Sequence, residues 1–221
     1  MLLDEHGEKV YKVMIAVPCG DLVHAQFAQD LALLMGYTTL VRPQMEVHLA
    51  FLRGTYLPRA RAGLVKWAEE RQATHILWLD ADMRFPKDAL LRLIQRDKAI
   101  VGANYPTRTS PIIPTATDTN RDPIFGGDGL MEATMMGFGC LLTDIEVFRA
   151  IGKPYFALGY SPAMDDYSGE DHFFCEKARK AGYQLLVDAG LSEEVIHLGT
   201  FPFGMPHARM TLTAAVEQEK V

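Results

Sequence analysis

Two aspartates stand one residue apart, Asp80-Ala81-Asp82, directly after the apolar run His75-Ile-Leu-Trp-Leu79. A continuous apolar run of this length reads as a strand buried on both faces, and open α/β sheets bind their ligands at the carboxyl ends of such strands. In extended chain, side chains two apart point to the same side. Two carboxylates aimed together repel each other unless positive charge lies close by, and a hard divalent cation carrying a diphosphate supplies it. The plainer alternative is a helix cap and a solvated acid ahead of the Phe85-Pro86 turn.

Three further sets of residues could carry chemistry. Ser168-Gly-Glu-Asp171 opens a helical stretch. Ser168 could cap that helix, with the acid three residues on completing a capping box, while a carboxylate in the same first turn is held ionised by the helix dipole and is available as a general base. His197 follows Val195-Ile196 at a strand end; it is either structural or a ligand, and imidazole suits manganese better than magnesium. Arg59 and Arg61 begin the helix leading into the Asp80 strand. They form a solvated face or compensate the charge of a phosphate.

The elements that must position these residues alternate. A strand at 13–17 ends in Pro18-Cys19-Gly20, a helix is expected over 22–35 with Gly36 as its stop, and a second strand over 38–41. Pro58 starts a helix through about Arg71, Pro86 another through about Arg96, and 99–103 is a strand. The stretch 104–129, rich in Pro, Thr, Asp and Gly, is a long loop of the kind that carries function. Strand material at 131–142 is interrupted by Gly137 and Gly139, with Met131, Met135 and Met136 expected in core or pocket lining. Helices at 144–150 and 169–181 and strands at 184–187 and 195–198 complete the pattern. Such alternation implies an α/β fold with a mostly parallel central sheet and helices on both faces. No repeat or linker divides the chain, so one domain over 1–221 is expected.

Composition excludes several classes. The chain has 221 residues, 48% hydrophobic and 23% charged, with a formal net charge of −6. Apart from the local cluster Arg53, Arg59, Arg61 and Lys66, it shows no basic stretch to grip a nucleic-acid backbone. Its three cysteines form no disulfide or zinc pattern. Residues 1–9 are polar and unlike a secretory signal, and no apolar run approaches the ~20 residues of a membrane span, so a cytoplasmic protein is expected. Neither a G-x-G-x-x-G turn, a P-loop nor a G-x-S-x-G elbow occurs.

In order, Pro18, Arg59-Ala-Arg61, Ile76-Leu-Trp-Leu-Asp-Ala-Asp82, Met136-Gly-Phe-Gly-Cys-Leu-Leu-Thr143 and Ser168-Gly-Glu-Asp171 ahead of Ala178-Arg-Lys-Ala-Gly182 resemble the family 2-like GT-A glycosyltransferases, in particular small bacterial and phage enzymes. The similarity runs from about Val13 to Gly199. It implies the GT-A fold and transfer of a sugar from a nucleotide-diphosphate sugar, by default a UDP-sugar, to an acceptor hydroxyl with inversion. It implies a divalent cation, Mn²⁺ or Mg²⁺, on Asp82 and His197, and donor contacts from Pro18, Arg59, Arg61, Asp80 and Asp82. Asp171 matches the base, with Glu170 beside it orienting the helix start or the acceptor. Ala62-Gly63 stand where the family's Ala-Arg-Asn motif continues, so its asparagine is absent. The acceptor stays open among a protein side chain, a modified nucleobase, a lipid headgroup and a small metabolite. Two rivals share some of these features. One is a haloacid-dehalogenase-like phosphatase using D-x-D with Asp165-Asp166; the other is a nucleotide-sugar-binding protein without turnover.

Overall fold

The computed structural model describes residues 10–109, 111–161 and 165–199. The polar segment 1–9 lies outside them. The chain opens with β1 (Lys12–Cys19), α1 (Ala25–Val41), β2 (Glu46–Arg53), α2 (Leu57–Glu70) and β3 (His75–Leu79). After the two aspartates come β4 (Met83–Arg84), α3 (Ala89–Gln95) and β5 (Ile100–Gly102); beyond the long loop lie β6 (Leu130–Ala133), β7 (Cys140–Asp144) and α4 (Ile145–Ile151). A hairpin of β8 (Gly159–Ser161) and β9 (Asp166–Ser168) leads into α5 (Glu170–Lys180), β10 (Leu185–Asp188), α6 (Ala189–Ser192) and β11 (Ile196–His197).

Seven strands form one sheet in the order β2-β1-β3-β7-β5-β10-β6. Five run the same way, while β7 and β6 run against them. The mostly parallel sheet expected from the alternation is therefore present. Alternation along the strands divides the core into two layers. Met14, Ala16, Ile76, Trp78, Leu141 and Val187 face the layer of α2, α4 and α5. Val13, Ile15, Val17, Leu77, Leu79 and Leu142 face the layer of α1 and α3. Helices thus cover both faces. Trp78 is fully buried against Phe138, Phe148 and Phe156, and its indole N–H donates to Thr143 Oγ1 at 3.0 Å. A buried indole needs such a partner.

Several local expectations are corrected. Residues 38–41 are helical, because α1 continues through Gly36 to Val41. Its buried positions Phe27, Leu31, Leu34 and Thr38 keep one helical phase past the glycine, and this packing overrides the strand preference of Thr38 and Thr39. The second strand is instead 46–53, an edge strand that among the described residues pairs only with β1. β1 does not stop before Pro18 but runs through it to Cys19. Ser168 does not cap α5: it lies in β9, Gly169 is the N-cap, and no side chain bonds the cap, so the capping box does not form.

Candidate active site

β3 delivers Asp80 to the carboxyl edge of the sheet. The register Ala16↔Trp78, continued two residues, brings Pro18 of β1 to the level of Asp80. Residues 80–83 do not continue as extended chain: Met83 N–H donates to Asp80 O at 3.1 Å, closing a turn. The two carboxylates therefore meet different partners, contrary to the extended geometry expected of them.

Asp80 faces inward. Arg61 Nη2 donates to Asp80 Oδ1 at 3.1 Å, and Arg61 Nε lies 3.1 Å from Glu170 Oε1 at an angle too poor for a hydrogen bond. The Arg61 guanidinium stacks 4.6 Å from the centroid of Phe138, and its side chain is only 4% exposed. Its Nη1 is buried with no hydrogen-bond partner among the described residues. One arginine thus ties the end of β3 to the first turn of α5. Burial raises the pKa of Asp80, with Arg61 opposing and Asp82 and Asp171 adding to the rise. Burial likewise raises Glu170, again with Arg61 opposing.

Asp82 meets a different set. β11 pairs antiparallel with β4, His197 opposite Met83, and Leu198 N–H donates to Asp82 O at 2.7 Å. This small sheet sets His197 Nε2 3.6 Å from Asp82 Oδ2. His197 Nδ1 lies 2.9 Å from Pro106 O. A carbonyl only accepts, so Nδ1 carries the proton and, in the neutral ring, Nε2 presents its lone pair beside the carboxylate. Arg108 Nη1 also sits 3.0 Å from Asp82 Oδ2 and donates to Leu198 O at 3.1 Å. Burial would raise Asp82, but His197 and Arg108 outweigh it and hold its carboxyl below the ordinary value. The nearby Asp82 carboxylate, working against burial, raises His197, because it favours a proton on Nε2.

A neutral imidazole nitrogen and a carboxylate side by side suit a borderline divalent cation. Among the described residues, no group of three or more His, Cys, Asp or Glu converges on one point, so this pair is two-membered. Asp171 stands at the second position of α5, with Oδ1 accepting from His172 N–H at 2.7 Å. The structure brings Asp80, Asp82, Glu170, Arg61 and His197 into one region, with Pro18 at its margin. Arg59 is exposed, with no ion pair among the described residues.

Three participants carried no sequence signal by themselves. Arg108 and Tyr105 sit in the long loop, and only its length marked it. Tyr105 packs edge-on to His197 with centroids 5.4 Å apart and accepts a hydrogen bond from Gly139 N–H at 2.8 Å. Gly137 and Gly139, read as strand interruptions, make room for it: a Cβ at either would lie 2.2 or 2.7 Å from the tyrosine oxygen. Phe138, between them, is the platform under Arg61. The loop is tied down by buried Asn104, which donates to Ile124 O at 2.7 Å and accepts from Ala116 N–H at 2.9 Å. Asp165 lies in the β8–β9 hairpin with φ 50°, and that hairpin is a sheet separate from the seven-stranded one, so Asp165 does not follow a strand of the main sheet.

No protein-family model and no curated protein sequence matches the chain. Solved structures do. A197 from STIV matches over 88% of this chain and 97% of its own, with a TM-score of 0.55 and 14% identity. GalNAc-T7, solved with UDP, GalNAc and Mn²⁺, matches over 87% of this chain and 44% of its own, with a TM-score of 0.52 and 11% identity. TarS 1-349 of S. aureus matches over 85% and 60%, with a TM-score of 0.50 and 12% identity. The chain therefore spans less than half of the GalNAc-T7 chain and three-fifths of the TarS chain. No helix among the described residues is long and apolar enough to cross a membrane. What the chain shares with these glycosyltransferases is the fold, a GT-A-like mixed α/β sheet with helices on both faces.

Proposed function

We propose that the protein is a metal-dependent glycosyltransferase that moves a sugar from a nucleotide-diphosphate sugar, by default a UDP-sugar, to an acceptor hydroxyl with inversion. The observation that carries this reading is His197 Nε2 beside Asp82 Oδ2, 3.6 Å apart, at the ligand edge of a GT-A-like sheet. The two residues come from distant parts of the sequence, and the Nδ1 contact to Pro106 O leaves Nε2 as the nitrogen that faces Asp82.

Asp82 and His197 would hold the divalent cation, Mn²⁺ or Mg²⁺, which when bound would supply charge neutralisation to the donor diphosphate. Asp80, at the end of β3, contacts the donor ribose or sugar, and Pro18 lines the neighbouring strand end. Arg61 is too deeply buried to act on the donor directly. It fixes the Asp80 carboxylate and, through Glu170, the start of α5, so its contribution is positioning. Exposed Arg59 is the arginine free to meet a phosphate. Asp171 takes the acceptor proton as the acceptor oxygen bonds to the anomeric carbon and the diphosphate departs with the electron pair of the broken bond.

A panel of nucleotide-sugars tests this by thermal shift with and without Mn²⁺, together with donor hydrolysis in the absence of acceptor. A metal-dependent rise in Tm for one donor, with slow hydrolysis, is expected. Absence of both overturns the reading. A shift without hydrolysis or transfer favours a binding protein that lacks turnover.

A further inference from the structure

Past the first turn of α5 a groove of about 860 Å³ opens, lined among others by Thr117, Arg121, Tyr160, Tyr167, His172 and Arg179. That volume lies within the range of small-molecule sites. Ser168 and His172, on either side of the Gly169–Asp171 turn, form its near end. Arg61, bridging Asp80 and Glu170, sets that same turn against the end of β3. His172, next to Asp171 in the chain, lines the groove, so its lining reaches to within one residue of the proposed base.

Its chemistry is specific. Tyr160 and Tyr167 are a cross-strand pair of the β8–β9 hairpin, with ring centroids 5.2 Å apart, and both are more than half exposed. Exposed aromatic faces of this kind stack on sugar and base rings. Arg121 and Arg179 are exposed, and neither forms an ion pair among the described residues. Glu176, the one acid among the described lining residues, is engaged by Lys180 Nζ at 2.6 Å. In a chain of net charge −6, this leaves a local cationic groove floored by aromatic rings. The overall negative charge disfavours a long polyanion, so a compact anion fits better.

We infer that this groove is the acceptor subsite, and that the acceptor is a small ring-bearing alcohol carrying an oxyanion, a phosphorylated sugar or a nucleotide. The inference rests on the glycosyltransferase reading above. The ring lies on the tyrosine pair, the oxyanion pairs with both Arg121 and Arg179, and a ring hydroxyl reaches Asp171. That hydroxyl oxygen forms the new glycosidic bond, its proton passes to Asp171, and the nucleotide diphosphate leaves with the electrons of the bond it loses.

The full chain, with donor and Mn²⁺, is given methyl glycosides, their 6-phosphates, uronic acids and nucleoside monophosphates, and nucleotide release is measured above donor hydrolysis. Binding of the same compounds is measured by calorimetry without donor. Anionic ring compounds should stimulate release and bind, while neutral glycosides should do neither; the phosphate-sugar and nucleotide arms identify the source. Arg121→Gln and Arg179→Gln should each raise the acceptor KM by about 10- to 100-fold, the range of one lost charge-assisted hydrogen bond. Tyr167→Ala should raise it too. Arg149→Gln, at the opposite end of the sheet, controls for general loss of charge and should change nothing. Normal donor binding with no preference for anionic rings, or with Arg121→Gln and Arg179→Gln indistinguishable from wild type, overturns the acceptor inference and leaves the transferase standing. If no donor binds, the transferase reading falls instead, and calorimetry without donor still decides whether the groove takes anionic rings.

Discussion

Asp80 and Asp82 are separated by one residue yet belong to two differently built regions. Asp80 sits in a network whose arginine is 4% exposed, pinned between sheet, α5 and the Phe138 ring. Asp82 sits among His197 and Arg108, beside a sheet of two two-residue strands and a long loop, with the Arg108 side chain half exposed. The first region is assembled by folding and has little freedom to change. The second is held by contacts of low energy that a ligand can exchange. A site that must bind, react and release needs both: a rigid frame for geometry and a replaceable set for the charge that arrives and leaves.

The largest expected effect falls on the neighbours Glu170 and Asp171, which the boundary between these regions divides. Asp171→Asn should cut turnover by about 10²–10⁴-fold as a lost base, with donor and metal binding retained and Tm nearly unchanged, because no cap depends on its side chain. Glu170→Gln should do the reverse, lowering Tm more than turnover, since Glu170 is one of the two acids beside Arg61. If Asp171→Asn turns over normally, the base assignment fails and a retaining mechanism becomes the better reading.

Arg61→Ala follows. Removing one partner of a buried ion pair typically costs about 3–5 kcal/mol, because the partners' charge stays uncompensated. Two acids are left here, both already pushed upward by burial. A chemical denaturation curve reads this directly, and a loss under ~1 kcal/mol would mean that the network is no more rigid than a surface pair.

These contrasts also explain what the sequence makes legible. β1 and β3 stand out because strands buried on both faces are continuous apolar runs. β2 does not: as an edge strand, EVHLAFLR mixes exposed Glu46, Leu49 and Phe51 with buried Ala50, and no period stands out. Residues 38–41 mislead because two threonines before Leu40 and Val41 mimic a strand, and only the phase of Phe27, Leu31 and Leu34 gives the helix away. Ser168 has the right spacing for a capping box, but hairpin pairing with Gly159 claims it first. Asp80, Glu170 and Asp171 are readable because local motifs carry them. The meeting of His197 with Asp82 depends on two strands of two residues each, below any periodicity, and only the resemblance to a family pointed there. Arg108 and Tyr105 were legible by neither route.

Next in size is the metal. His197→Ala and Asp82→Asn should each abolish the Mn²⁺-dependent part of the donor-induced Tm rise while changing the apo Tm little, since neither residue is packed in the core. An unchanged metal-dependent shift in both would remove the cation from this pair.

A smaller effect separates the two aspartates by pH. Asp82 is held below its ordinary value of 3.8, so it contributes stability above that pH and loses it as pH falls through the depressed folded value. Asp80 is raised, so its contribution has the opposite sign: present below 3.8 and lost as pH rises through the folded value. Apo Tm measured from pH 7 down to 3 should therefore fall less in Asp82→Asn than in wild type. The difference should be at most about 1 kcal/mol, the size of a half-exposed pair. In Asp80→Asn the acid-side fall should be steeper than in wild type, because the opposing contribution is gone. Identical slopes in all three proteins would mean that neither carboxylate senses its surroundings as described.

The smallest effect concerns Arg108, and it decides what kind of contact Asp82 makes before anything binds. Its guanidinium lies 3.0 Å from the same carboxylate oxygen that faces His197 Nε2, so it occupies the charge position a cation would take. Arginine cannot give up its proton to relieve the conflict; it has to move. A half-exposed ion pair is worth about 0–1 kcal/mol, which bounds its competition with the cation. Arg108→Ala should accordingly tighten Mn²⁺ binding without donor by about threefold, as read by paramagnetic resonance of the free ion. Arg108→Lys should stay close to wild type if charge alone competes. With donor present the sign should reverse: the displaced guanidinium is then available to the diphosphate, so Arg108→Ala should weaken donor binding even as it strengthens binding of the bare ion. Weaker Mn²⁺ binding in Arg108→Ala without donor would show that Arg108 orients Asp82 for the cation, and the half-exposed region would then be as preorganised as the buried one.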